Sequence, residues 1–304
     1  MCRAWGREGR DAWIKKLMKS AAGNHQGGGK ASGTAGVAVA LSGGAARTIA
    51  HIGVLKVLAR EGIPVSRIAG TSGGALIAVL VAAGYPLVDL EVDACRAGWY
   101  RLAEVRPHPL GILSTEKLRE FVERRIGELC IEDFPLPCAV VATDLTSGCR
   151  RVFDSGPAGP AVAASCAIPE FYRPVKWEGH DYVDGGLVEP LPVRAARALA
   201  GPEGETLIAV SVLRPRAIGE GPRHIWQLVG RITEVVQNEM VRRDREAADV
   251  YIEPAVADFS YLDLRQAEEL IAAGAAAMEQ QLDRLWRQIG RTGSASRPNN
   301  LSGA

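Results

Sequence analysis

A serine set among small residues is the chain's clearest reactive group. In "GTSGG", Gly70 to Gly74, Ser72 is the centre of a G-x-S-x-G pentapeptide. The run "VSRIA" precedes it and the almost wholly apolar "ALIAVLVAA" follows. The motif therefore falls where a strand turns into a helix, the context in which this pattern marks a nucleophile. Such a corner holds its central residue in a strained conformation and leaves the side chain accessible. Gly70 and Gly74, two positions to either side, remove the side chains that would collide there. A hydroxyl at a helix N-terminus also sits where backbone N–H groups and the helix dipole favour developing negative charge. The chemistry this predicts is nucleophilic attack by Ser72.

A serine needs a base, and the usual one is a histidine oriented by a carboxylate. The five histidines are His25, His51, His108, His180 and His224. His25 lies in a glycine-rich stretch, His51 on a predicted helix, His108 between two prolines, and His224 at the start of a late helix. His180 is the rival worth weighing, four residues before Asp184. Asp184 is the better candidate. In "YVDGG" it ends a predicted strand, and Gly185 and Gly186 make a turn that projects its carboxylate from the sheet edge. A carboxylate in reach of a serine can take its proton if its surroundings raise its basicity. Read alone, D-G-G is simply a good turn.

The third feature is "LSGGAARTIAHIGV", Leu41 to Val54, an apolar run stopped by glycines and resumed as a helix. Loops of this kind wrap anions with backbone N–H groups. A nucleotide phosphate fails on detail, because there is neither G-x-G-x-x-G nor G-K-[ST]. The other "GGGK" of the chain, ending at Lys30, is followed by Ala31 and has no strand before it.

The blocks "LSGGAARTIAHIGVL", "IAGTSGGALIAVLVAAG" and "AASCAIPEFYRPV…DYVDGGLVEPLPV" together resemble the patatin-like phospholipase family in its bacterial branch, from about Val37 to Val193. The resemblance implies a Ser–Asp dyad carried by Ser72 and Asp184, with no catalytic histidine, and hydrolysis of acyl esters, typically lipids, through an acyl-enzyme. It also implies a three-layer α/β/α fold and no metal or cofactor. The glycine-rich loop becomes the oxyanion hole, with the amides of Gly43, Gly44 and Ala45 facing the oxygen that gains charge; losing one such donor costs about 2.7–4 kcal/mol. Arg47 matches the family's basic loop residue, in a role weighed between holding the loop and standing in solvent. Two departures stand out: Ala45 replaces a third glycine, and Thr48 replaces a glycine after the arginine. A β-branched residue at positive φ would cost about 1–3 kcal/mol, so Thr48 is the suspect position. Two alternatives remain: a Ser–His α/β-hydrolase or acyltransferase, and a non-catalytic lipid-binding or interaction module that kept the fold.

The elements that must position these groups alternate strand and helix from Val37 onward, which predicts an α/β fold with a mainly parallel sheet. "VAVAL" suits a strand buried on both faces. "PCAVVATDL" and "RRVFD" read as neighbouring strands joined by a hairpin, and "ETLIAVSVL" as another buried strand. Residues 85–135 read as helical, with Ser114 as the N-cap of "LSTEKLREFVERRIG". Helices are expected around 222–248 and 261–289. The predicted organisation is a basic N-terminal segment with a glycine-rich linker over 1–35, the catalytic domain over 36–291, and a disordered tail over 292–304. The acyl pocket is expected from 85–115 and 167–176.

Composition narrows the partners. In 304 residues, 36 Lys and Arg oppose 35 Asp and Glu, a net charge of +1 that points to no polyanion, so nucleic acid is not indicated. The 47% hydrophobic content suffices for a large core. Cys2, Cys95, Cys130, Cys138, Cys149 and Cys166 show no C-x-x-C spacing; they read as buried thiols in a reducing compartment. With no signal-peptide or membrane-spanning run, a cytoplasmic protein is expected. In "DAWIKKLMKSA", Trp13, Ile14, Leu17 and Met18 share a helical face opposite Lys15, Lys16 and Lys19, giving either a short surface helix or a peripheral membrane contact.

Overall fold

Val37–Leu41 forms strand β1, and its alternation decides the architecture. Val37, Val39 and Leu41 enter one apolar cluster, while Ala38 and Ala40 enter a second on the opposite face. A strand buried on both faces requires a covering layer on each. The computed structural model describes residues 36–96, 103–202, 204–214 and 221–295. The helices are α1 (Ala50–Arg60), α2 (Gly73–Ala83), α3 (Leu87–Cys95), α4 (Glu116–Ile126), α5 (Ala158–Ser165), α6 (Val193–Ala198), α7 (Ile225–Asp244), α8 (Ala267–Glu279) and α9 (Leu282–Ala295). Residues of α1 to α5, α8 and α9 pack on the first face, and those of α6 and α7 on the second. The three-layer expectation holds.

The other strands are β2 (Val65–Thr71), β3 (Glu104–His108), β4 (Gly111–Ser114), β5 (Cys138–Asp144), β6 (Cys149–Phe153), β7 (Val175–Trp177), β8 (His180–Asp184), β9 (Thr206–Val210) and β10 (Val250–Ile252). The main sheet runs β10-β9-β1-β2-β5-β8-β7, with β6 also paired to β5. Pairings from β10 to β5 are parallel; those of β6, β8 and β7 are antiparallel.

One register places the chemistry. β2 pairs with Cys138–Val141 of β5, and β8 pairs with Ala142–Asp144. Because β6 occupies the other edge of β5 over Val140–Asp144, β2 and β8 share one edge and meet head to head. Thr71 lies opposite Val141 and Asp184 opposite Ala142, so both strands end at adjacent rungs. A side chain on Gly185 would run into the Val141 carbonyl, which shows how closely the two ends abut.

Several expectations need correction. The stretch 85–135 is not all helical: β3 and β4 form a hairpin in "EVRPHPLGILS", where Pro107 and Pro109 oppose helix formation. Thr115, not Ser114, is the N-cap of α4, although the Ser114 hydroxyl accepts from the Glu116 amide at 3.2 Å. Residues 261–289 yield two helices, and α9 continues to Ala295, into the expected tail. Cys95 and Cys149 are exposed free thiols, and Cys138 is buried. Cys130 is disulfide-bonded. Among the described residues no helix is long and apolar enough to cross a membrane, and no group of three His, Cys, Asp or Glu could hold a metal ion. The amphipathic segment at 11–21 and the linker lie outside the described residues.

Candidate active site

Ser72 stands at the corner between β2 and α2 with φ 54° and ψ −128°, a conformation that L-residues rarely adopt and that marks stored strain. The surrounding glycines make it possible. A Cβ on Gly70 would strike the backbone of Gly74 and Ala75, and one on Gly74 would strike the carbonyls of Leu41 and Ser42. The Ser72 amide donates to Ser165 Oγ at 2.8 Å, and Ser165 Oγ donates to the Val141 carbonyl at 2.6 Å. Fully buried Ser165 thus ties the corner to β5. Sequence reasoning missed this residue, since a serine inside "AVAASCA" reads as helix filler.

Asp184, at the end of β8, is 6% exposed. Its Oδ1 accepts from the Gly186 amide at 2.7 Å, and its backbone carbonyl accepts from Thr143 Oγ1 at 2.8 Å. Oδ2 is buried without a hydrogen-bond partner. Burial pushes the carboxyl up to about 6, against the opposing pull of the nearby Ser72 hydroxyl and the Gly186 amide. Ser72 is therefore a close neighbour whose hydroxyl feels the carboxylate without a formed short bond, and such contacts commonly tighten only when substrate arrives. The Cys166 thiol also borders both groups. Burial, then the Asp184 charge, raises it well above the ordinary thiol range, so it stays protonated.

Ser42 anchors the glycine loop: its amide donates to Val210 at 3.0 Å, and its hydroxyl accepts from the Val212 amide at 3.0 Å. The Gly43 amide donates to the Pro190 carbonyl at 3.0 Å, and the Ala46 amide to Tyr261 at 3.0 Å. The expectation of three free amides is thereby corrected, because that of Gly43 is engaged. The amides of Gly44 and Ala45 donate to no group among the described residues, and both residues line a cavity with Ser72.

The strain anticipated at Thr48 lies elsewhere. Thr48 belongs to the 3-10 turn Ala45–Ile49, has no positive φ, and donates from Oγ1 to the Ala45 carbonyl at 2.6 Å. Positive φ falls on Gly44 (144°) and on Ala45 (46°). A left-handed alanine costs roughly 1–2 kcal/mol, partly offset in a glycine variant by greater unfolded-state entropy. Ala45→Gly is therefore expected to raise stability by about 0.5–1 kcal/mol in urea unfolding. A lowered midpoint would show that the methyl is a net packing gain.

Arg47 is fully buried. It donates to the carbonyls of Phe259 at 2.9 Å, Ala257 at 2.7 Å and Arg214 at 3.1 Å, and its guanidinium lies 3.8 Å from the Tyr261 ring centroid. Its contacts fasten the loop to the segment 257–261. His51 is likewise interior: Nε2 lies 2.9 Å from the Ser42 carbonyl, and burial pushes the ring down to about 4. His180 sits at the far end of β8 from Asp184, with Nδ1 2.8 Å from Asp144 Oδ2. His224 caps α7. Among the described residues no histidine lines either cavity at Ser72.

Two cavities meet at Ser72. One, of about 700 Å³, is lined by Gly44, Ser72, Asp184 and apolar residues including Leu113, Phe171 and Leu213. The expected ranges contribute Ala103, Val105, Leu113 and Ile168–Tyr172, but one wall was missed: Gly230, Thr233, Glu234 and Gln237 of α7. Their i, i+3, i+4, i+7 spacing was the available signal. The second cavity, about 130 Å³, also touches Ala45 and Ser72.

A sequence model of the family described as patatin-like phospholipase matches residues 39–197. An uncharacterized NTE family protein of Mycobacterium bovis is 35% identical over 216 residues, 70% of this chain and 58% of the relative. Lysophospholipase NTE1 of Eremothecium gossypii is 26% identical, across 79% of this chain and 18% of its own length. VipD from Legionella pneumophila superposes with a TM-score of 0.46 at 12% identity, covering 88% of this chain and 73% of VipD. The chain thus spans under two thirds of these curated relatives' length.

Proposed function

Because the chain belongs to the patatin-like phospholipase family, we propose that it is a serine acyl hydrolase of lipid esters working through a Ser72–Asp184 dyad. The observation that carries this reading is the strained Ser72 beside a buried, partly unpartnered carboxylate with raised basicity, in the wall of one large cavity. Asp184 takes the Oγ proton as Oγ bonds to the ester carbonyl carbon. The carbonyl oxygen becomes an oxyanion, and the Gly44 and Ala45 amides donate to it. As the tetrahedral centre collapses, the C–O bond to the alcohol breaks and Asp184 returns the proton to the leaving oxygen. Water then attacks the acyl-enzyme, giving its proton to Asp184; Ser72 leaves with that proton and the acid is released. A fluorophosphonate probe is expected to label the peptide holding Ser72. No labelling under conditions that label an active relative would instead favour a non-catalytic module.

The lipid is met at an aggregate surface. Val105 (70% exposed), Phe171 (50%) and Leu262 (64%) line the large cavity and also face solvent. On α7, whose polar side forms a cavity wall, Ile225, Leu228, Ile232, Val235 and Val236 make an exposed apolar stripe at helical spacing. Amphipathic helices ordinarily turn that stripe inward; here it faces solvent, as interfacial contact requires. The double variant Leu228→Ser/Ile232→Asp is expected to weaken co-sedimentation with phospholipid vesicles by at least about tenfold, leaving soluble-ester hydrolysis unchanged. Unaltered sedimentation would exclude this face.

A further inference from the structure

The two cavities that meet at Ser72 differ in a way that orients the ester. Both include Ala45, Ser72, Ile168 and Tyr172, but Asp184 lines only the larger one. An ester bound at Ser72 sends its acyl chain and its alcohol in different directions from the carbonyl carbon. The group that protonates the departing alcohol must lie on the alcohol's side. Resting on the dyad reading above, we infer that the alcohol portion occupies the 700 Å³ cavity and the acyl chain the 130 Å³ cavity.

This assignment fixes a substrate class. The smaller cavity begins at Ser72 and Gly73, follows α2 past Leu76 and Ile77, and lies between α3 and α4, where Leu90, Leu118 and Phe121 line it. The bidentate Asp93–Arg125 pair (2.8 and 2.9 Å) also borders it, with the Tyr85 hydroxyl donating to Asp93 at 2.8 Å. That network ties α3 to α4, so the walls do not separate freely. An apolar cavity of roughly 150 Å³ accommodates benzene, so this one accepts an acyl chain of about six carbons. The larger cavity, with its exposed apolar rim, suits a bulky apolar alcohol. The substrate is therefore a short-chain acyl ester of a large, lipid-like alcohol.

Two ester series test it. With p-nitrophenol as constant leaving group, kcat/KM is expected to peak near hexanoate and to fall at least about tenfold by laurate. Leu76→Trp should move the peak to acetate or butyrate, and Phe121→Ala should move it to octanoate or beyond. Should the tryptophan variant not fold, the Phe121→Ala shift alone decides. With butyrate constant and the alcohol lengthened from ethyl to dodecyl, kcat/KM should rise and respond to neither substitution. If both substitutions alter the alcohol series and leave the acyl series unmoved, the assignment is reversed and the inference falls. An equal response to laurate and hexanoate in the wild type would also overturn it. Hydrolysis persisting in Ser72→Ala would sink the dyad reading instead, a result independent of either chain-length profile.

Discussion

Ser72→Ala is expected to lower ester turnover by roughly 10⁴–10⁶-fold and to remove fluorophosphonate labelling, with unfolding stability within about 0.5 kcal/mol of wild type. The size follows from what remains. Without Oγ there is no acyl-enzyme, and catalysis falls to water acting beside the Gly44 and Ala45 amides. Stability should hardly move, because alanine at φ 54° bears the same backbone strain as serine, and the Ser72 amide keeps its bond to Ser165. Initial rates at high enzyme concentration, paired with urea unfolding, measure both quantities. Residual turnover within tenfold of wild type would require another nucleophile. The Cys166 thiol is poorly suited, since burial keeps it protonated.

Asp184→Asn is expected to reduce turnover by roughly 10²–10⁴-fold while making the protein more stable at neutral pH. The Asp184 pKa is raised from the ordinary carboxylate value to about 6 in the folded protein. A raised pKa means that the folded state binds the proton more tightly than the unfolded one. The stability contribution is fully present below about pH 4 and is lost as pH rises through about 6. At pH 8 wild type therefore bears a cost of about 3 kcal/mol for this charge. The asparagine variant avoids that cost but buries an amide N–H₂, leaving a net gain of about 1–3 kcal/mol. The gain should vanish by pH 4, which urea unfolding at pH 4, 6 and 8 will show. In wild type, kcat/KM should rise with pH and reach half its plateau near 6, as the base form appears. His180→Ala and His224→Ala should retain turnover within about twofold; loss of activity in either would restore the Ser–His alternative.

The fold and much of the site are legible in the sequence for the same reason: strong local chemistry. The uninterrupted apolar run Val37–Leu41, the small-residue corner around Ser72 and the Gly-Gly turn after Asp184 each constrain the chain over a few residues. What escaped depends on distant partners. Nothing near Gly43 announces that its amide is taken by Pro190, and nothing near Thr48 shows that the left-handed residue lies three positions earlier. Ser165 acquires its role only through a strand it does not neighbour in sequence. The β3–β4 hairpin was readable from Pro107, Pro109 and Gly111 but was outweighed by the helical pattern around it.

The head-to-head meeting of β2 and β8 along one edge of β5 makes the dyad a gauge of assembly. Nucleophile and base come from segments far apart in the chain, and neither strand positions its residue until it has found its rung on β5. A one-residue slip of β8 would turn its side chains to the opposite face and carry the Asp184 carboxylate away from Ser72. Such distant pairings close slowly. Recovery of ester turnover after dilution from denaturant would then follow closure of this junction, trailing the return of helical signal from α1 and α2.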